Sequence, residues 1–225
     1  MIKSKLVPIF AHVPKTGGTS MRNTLGLPKW TQYHRKIGGS EMRKAVRGAG
    51  DDAHLFMFLR DPIERALSAY YYFVWSRDQG EKCPPCRKFS PVKQKAWLFS
   101  VIARIADLDV NDFYRGMFRD DALQYRRLSK VIAHFIPQSE WYACACKLDA
   151  EVHTYDFGSF ASEYERLLDD LQALKRPRLL HRMKTHRKGS VDELEPDVLA
   201  MLREFYADDL ALLRKLGIPV TSDNL

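Results

Sequence analysis

Between His54 and Arg60 the chain reads Leu55-Phe56-Met57-Phe58-Leu59, with no polar residue to alternate against. A strand with one solvated face alternates, whereas a strand covered on both faces does not. The run therefore predicts a central strand of a parallel sheet with helices packed on either side. Asp61 then supplies a good N-cap and Pro62 a good first helical residue, and Ile63, Ala66, Leu67 and Tyr70 follow at helical spacing. A similar junction lies upstream. Leu6 to Val13 is a mostly apolar run, interrupted at Pro8. It runs into Pro14-Lys15-Thr16-Gly17-Gly18-Thr19-Ser20 and a helix-compatible stretch through Leu25.

Further along, Ser76 to Ser90, with Gly80, Pro84-Pro85 and two cysteines, reads as an exposed insertion. Lys93–Ile105 and Asp121–Val131 have a moderately helical pattern, and Val152 to Tyr155 reads as a strand. Phe160, Tyr164, Leu167, Leu168, Leu171 and Leu174 mark an amphipathic helix. A basic linker runs from Lys175 to Lys188. Pro196 opens a last helix, with Leu199, Leu202, Tyr206 and Leu213 on one face, Gly217 to end it and Pro219 beyond. There is no internal repeat. The alternation of strands and helices predicts an α/β protein of 225 residues in one domain, with a mainly parallel central sheet flanked by helices.

Lys plus Arg number 36 against 28 for Asp plus Glu, a net charge of +8, which suits an anionic ligand, a nucleic acid or an acidic membrane surface. No window approaches the roughly 20 apolar residues of a membrane span, and the first residues run directly into a strand-like segment. A soluble, cytoplasmic chain is the expectation. The cysteines fall in two close pairs, Cys83/Cys86 and Cys144/Cys146. Reduced or disulfide-linked thiols are expected ahead of a four-thiolate zinc site, because CxC is less typical of zinc knuckles than a second CxxC.

Two segments carry chemistry. The loop after the first strand supplies two glycines for close backbone approach, Lys15 as a point charge, and Thr16, Thr19 and Ser20 as hydroxyl donors at a helix N-terminus. Those are the parts of a phosphate cradle. The lysine precedes the glycines, unlike the GxxxxGK[ST] order of a Walker A loop. Arg60 stands at the carboxyl end of the central strand, the edge at which open α/β sheets bind ligands, and Ser68 lies about two turns into the next helix. An Arg60 salt bridge to Asp61 or Glu64 is the structural alternative.

Together these segments resemble the two nucleotide motifs of the carbohydrate sulfotransferases that include the heparan sulfate 2-O and chondroitin/dermatan enzymes. His12 to Ser20 is similar to their 5′-phosphosulfate loop and Arg60 to Tyr70 to their 3′-phosphate motif. Weaker similarity continues through His134 to Gln138, Cys144 to Cys146, Tyr155 to Phe157 and Phe205 to Leu210. The resemblance implies a P-loop-like three-layer fold and 3′-phosphoadenosine 5′-phosphosulfate (PAPS) as sulfuryl donor. It also implies 3′-phosphoadenosine 5′-phosphate (PAP) as product and no required metal. It assigns Lys15, Thr16, Gly17, Gly18, Thr19 and Ser20 to the 5′-phosphate and sulfate, and Arg60 and Ser68 to the 3′-phosphate. The stretch Lys184 to Ser190, with Arg187 and Lys188, is similar to the late loop that closes over the nucleotide. Unlike the eukaryotic members, this sequence has a short stretch between the two motifs and no amino-terminal anchor, so a cytoplasmic, bacterial-type relative is expected.

Sulfuryl transfer needs a base for the acceptor hydroxyl, and His34, in a region where the resemblance places a histidine facing the sulfate, is the choice. His54, His134, Glu64 and a bound water are the alternatives. Lys15 is expected to stabilise charge on the bridging oxygen. The expected acceptor is a carbohydrate or another hydroxyl-bearing molecule, with Tyr70, Tyr71, Tyr72, Phe73 and Trp75 as candidate cleft aromatics. A P-loop phosphotransferase is disfavoured by the lysine order and by the lack of a convincing strand-terminal Mg²⁺ aspartate. A non-catalytic basic module binding nucleic acid or sulfated glycan would leave both phosphate motifs unexplained.

Overall fold

A computed structural model describes residues 2–28, 38–78, 108–118, 133–180 and 189–224. In chain order the elements are β1 (Val7–Phe10), α1 (Gly18–Leu25), α2 (Ser40–Ala49), β2 (Ala53–Leu59), α3 (Pro62–Asp78) and α4 (Val110–Phe118). They continue with α5 (Gln138–Ala145), β3 (Val152–Asp156), α6 (Phe160–Asp170), α7 (Pro196–Phe205) and α8 (Ala207–Lys215). Short 3₁₀ turns occupy Gly50–Asp52, Val191–Glu193 and Thr221–Asn224. The chain forms two compact units. The first comprises Met1–Pro62, Ile136–Lys184 and Tyr206–Leu225, and the second comprises Ile63–Phe135 and Thr185–Phe205.

The first unit is a three-layer α/β sandwich. Its sheet has the order β1-β2-β3 with both pairings parallel, so the unalternating run forms the central strand, as expected. Pleating sends successive side chains to opposite faces. Leu55, Met57 and Leu59 join Ile9, Ala11 and Val13 under α2, α5 and α8, packing on Met42, Val46, Trp141, Ala145 and Leu213. Phe56 and Phe58 face the other way with Phe10 and Tyr155, under α1 and α6, where they meet Met21, Leu25, Tyr164, Leu167 and Leu168. All five residues of the run are fully buried, the burial that two covered faces require. Pro8, which has no N–H to give to a ladder, is tolerated because β1 is an edge strand among the described residues.

Among the described residues the second unit is helical. Tyr70 of α3 packs on Phe113 of α4, which packs on Phe135, with ring centroids 5.4 and 5.5 Å apart. Asn111 ties α4 to the segment entering α7, donating to the Glu193 carbonyl at 3.1 Å and accepting from Glu195 N at 2.8 Å. Gly189, at the end of the late basic stretch, lies so close to Tyr71 that a Cβ there would stand 2.4 Å from the ring.

Three expectations are corrected. The last helix is two helices, α7 and α8, separated at Tyr206, whose φ of −100° and ψ of 22° lie outside the helical basin. The amphipathic helix α6 stops at Asp170, leaving Leu174 67% exposed beyond it. Helix α3 runs to Asp78, past the Ser76 at which the insertion was expected to begin. The remainder of that insertion, Cys83 and Cys86, and the helical patterns over 93–105 and 121–131 lie outside the described residues. Cys144 and Cys146 are free thiols.

Candidate active site

The three parallel strands end on one edge of the first unit, and the residues just beyond them are the loop 11–17, Arg60 and Phe157. That is the carboxyl edge at which open α/β sheets hold ligands. The β1–α1 loop is curled tightly. Lys15 has φ 69° and Gly17 φ 73°, both left-handed, a conformation that turns backbone N–H groups toward a common concavity. Buried Thr16 closes the turn by donating from Oγ1 to the Val13 carbonyl at 2.9 Å. Gly17 is the N-cap of α1, and its carbonyl accepts the first helical bond from Met21 N at 3.0 Å.

Both glycines are required by contact as well as conformation. A Cβ on Gly17 would stand 2.8 Å from Phe157 and Phe160, and one on Gly18 only 1.7 Å from Nε2 of His12. The His12 ring, stacked on Phe10 at 5.3 Å, thus occupies the space above the first residue of α1.

Lys15 keeps an intermediate share of its surface, yet its ammonium is enclosed by protein. Burial, reinforced by the Arg60 guanidinium, pushes its pKa down to about 7. Arg60 lies over the Phe157 ring, 5.2 Å from the centroid. Two cationic side chains from separate strand ends therefore act on one another at this edge. An anion with more than one charge would relieve both burial and repulsion, so the donor set fits a phosphate- or sulfate-bearing ligand.

Of the residues expected from sequence, Lys15, Thr16, Gly17, Gly18, Thr19, Ser20 and Arg60 all lie at this edge. Ser68 is half-buried on α3 in the second unit, about two turns past Pro62. His34, Arg187 and Lys188 lie outside the described residues. Among the alternative bases, His54 sits near the start of β2, roughly 17 Å up-strand from Leu59 at about 3.3 Å per residue. Its Nε2 pairs with the Tyr155 hydroxyl at 3.0 Å, and that hydroxyl donates to Asp170 at 2.6 Å, so the group belongs to the core. The His134 ring stacks on Tyr72 at 5.7 Å in the second unit, and its carbonyl accepts from Arg65 at 2.9 Å. Tyr70 and Tyr71 are core residues rather than cleft aromatics, with their hydroxyls donating to the Leu108 carbonyl and to Glu193.

Sequence reasoning placed His12, Phe157, Gln138 and Asp209 within similar segments but gave none of them a role. Both Gln138 and Asp209 are fully buried; Gln138 bonds to the Arg60 backbone, and Asp209 accepts from Gln138 N. They stand in legible segments, but contacts between residues so far apart in the chain have no spacing signature. Among the described residues no group of His, Cys, Asp and Glu could hold a metal ion, and no helix is long and apolar enough to cross a membrane.

A glycine loop on a parallel sheet with a cationic carboxyl edge defines an anion-binding α/β protein. The chain belongs to the Sulfotransferase family, whose model matches residues 1–214, and so is an enzyme of sulfuryl transfer. Among solved structures it is similar to a sulfotransferase from Alicyclobacillus acidocaldarius, with 14% identity and a TM-score of 0.42. That match covers 96% of this chain and 87% of the other. No curated protein matches it significantly.

Proposed function

We propose that the enzyme takes its sulfuryl group from PAPS and delivers it to a hydroxyl of a carbohydrate by in-line displacement, releasing PAP. The observation that carries this reading is the pairing of a lysine with an enclosed ammonium in a glycine loop with an arginine at the next strand's end, at the carboxyl edge of one sheet. In this reading Lys15, Thr16, Gly17, Gly18, Thr19 and Ser20 bind the 5′-phosphosulfate, and Arg60 and Ser68 bind the 3′-phosphate. Arg187 and Lys188 belong to the loop that covers the nucleotide. The acceptor oxygen forms the new bond to sulfur while its proton passes to His34. The bond from sulfur to the bridging oxygen breaks, its electron pair remains on the 5′-phosphate of PAP, and Lys15 balances that growing charge. No metal takes part.

Binding of PAP and of adenosine 5′-phosphate (AMP) tests the donor. The 3′-phosphate contributes roughly 1.5–3 kcal/mol, about one to two decades in affinity, and Arg60→Ala removes most of that preference. Equal affinity of the wild-type enzyme for PAP and AMP would overturn the donor reading. His34→Ala loses roughly 10²–10⁴ in kcat while still binding PAP, and a mutant that kept most of its turnover would remove His34 from the mechanism. Transfer from labelled PAPS to a panel of sugars, peptides and phenols tests the acceptor class. Label that accumulates only on non-carbohydrates rejects it.

A further inference from the structure

We infer that Gln138 is a positioning residue for the Arg60 guanidinium, holding that arginine by its backbone through a two-point amide clamp that Asp209 in turn fixes. The inference rests on the reading of Arg60 as ligand of the donor's 3′-phosphate.

The sheet cannot hold Arg60 by itself. The β2–β3 register ends at Leu59 and Asp156, and the Leu59 carbonyl takes the last bond, from Phe157 N at 2.7 Å. One residue further on, Arg60 N donates to Oε1 of Gln138 at 2.9 Å, and Nε2 of Gln138 donates to the Arg60 carbonyl at 2.6 Å. A primary amide presents donor and acceptor in one plane, as a peptide does, so Gln138 pairs with the Arg60 backbone much as a neighbouring strand would. Gln138 is 0% exposed, and a group so enclosed has little freedom to re-pair if one half of the clamp is lost.

The clamp is anchored behind. Asp209, also 0% exposed, accepts from Gln138 N on Oδ2 at 2.8 Å, and from Ser139 N and Ser139 Oγ on Oδ1, each at 2.8 Å. A carboxylate on α8 thereby satisfies the first amides of α5, where negative charge is favoured. On the other side of the Arg60–Asp61 peptide, Oδ2 of Asp61 accepts from Ser222 N at 2.9 Å and from the Thr221 hydroxyl at 3.2 Å. The backbone from which the arginine projects is thus fixed from two directions. A small rotation there is magnified at the tip of a long side chain, and a charged contact depends on where that tip points.

Gln138→Glu keeps the acceptor for Arg60 N but turns the donor into an oxygen facing the Arg60 carbonyl. Affinities for PAP and AMP, measured by calorimetry on this variant, on Asp209→Asn, on Arg60→Ala and on the Arg60→Ala/Gln138→Glu pair, give the test. Gln138→Glu lowers PAP affinity about tenfold with AMP affinity unchanged, Asp209→Asn moves the ratio in the same direction, and Gln138→Glu adds nothing once Arg60 is alanine. If Gln138→Glu does not fold, Gln138→Asn, which keeps both amide atoms on a shorter stem, and Asp209→Asn decide by the same ratio. Arg60→Ala losing the PAP preference while the Gln138 and Asp209 variants keep it, or lose PAP and AMP alike, overturns the clamp and leaves the donor reading standing. A PAP preference that survives Arg60→Ala removes the donor reading and the clamp with it.

Discussion

Lys15 carries two costs in the ligand-free enzyme, and they can be separated. Its φ of 69° costs about 1 kcal/mol for any residue but glycine. The enclosed ammonium beside Arg60 adds a penalty that exists only while the lysine is protonated. Lys15→Met retains the backbone cost and removes the charge. At pH 6 the methionine variant is expected to melt above the wild type. The gap closes as pH rises through about 7 toward the ordinary lysine value of 10.5, while turnover is lost throughout. Identical melting at pH 6, or turnover near wild type, would refute this account. Lys15 and Arg60 were legible because each sits where a strand hands over to a helix, and composition there is informative. His12, Gln138 and Asp209 were not, since their roles come from contacts that only the fold creates.

At the scale of elements, the β1–α1 loop has the least room for change. Gly18→Ala would drive a methyl into the His12 ring, which is itself stacked on Phe10, and overpacking of that kind costs about 1–3 kcal/mol. Adding His12→Ala to that variant should recover part of the loss in denaturant unfolding, although His12→Ala alone is destabilising. Strictly additive losses in the double variant would show that the ring and the glycine do not share this space. The elements themselves were largely readable. An apolar run without alternation meant two covered faces, and it became the central strand with odd and even residues in separate cores. The break at Tyr206 was hidden because Leu202, Tyr206 and Leu213 keep an apolar spacing through it, and all three are buried. Leu174 misled for the reverse reason, continuing the spacing of α6 after its helix had ended.

For the whole molecule, protonation links the site to stability. His54 is pushed down to about 4, chiefly by burial and then by His153, with Asp170 opposing. The unfolded chain therefore takes up the extra proton as pH falls through about 6.5, and stability declines until the folded group titrates near 4. Lys15 acts in the same direction on the alkaline side. Between about 7 and 10.5 the unfolded chain binds the proton that the folded enzyme has lost, so the ligand-free enzyme gains stability as pH rises through that window. PAP offsets the second effect, because phosphate groups beside Lys15 favour its charged form and lift its pKa back toward the ordinary lysine range. Binding near pH 8.5 must then take up a proton. PAP affinity should weaken by up to about tenfold per pH unit above 7, since a shift of one unit is worth about 1.4 kcal/mol. The second ionisation of a phosphate, near pH 6, is complete by then and leaves the nucleotide's own charge constant. Calorimetry at pH 8.5 in two buffers of different ionisation heat should reveal the uptake. At a fixed PAP concentration the rise in melting temperature should be smaller at pH 9 than at pH 7, and Lys15→Met should abolish both dependences. If binding released no heat difference between buffers, or if PAP bound as tightly at pH 9 as at pH 7, Lys15 would not be the group that meets the anion.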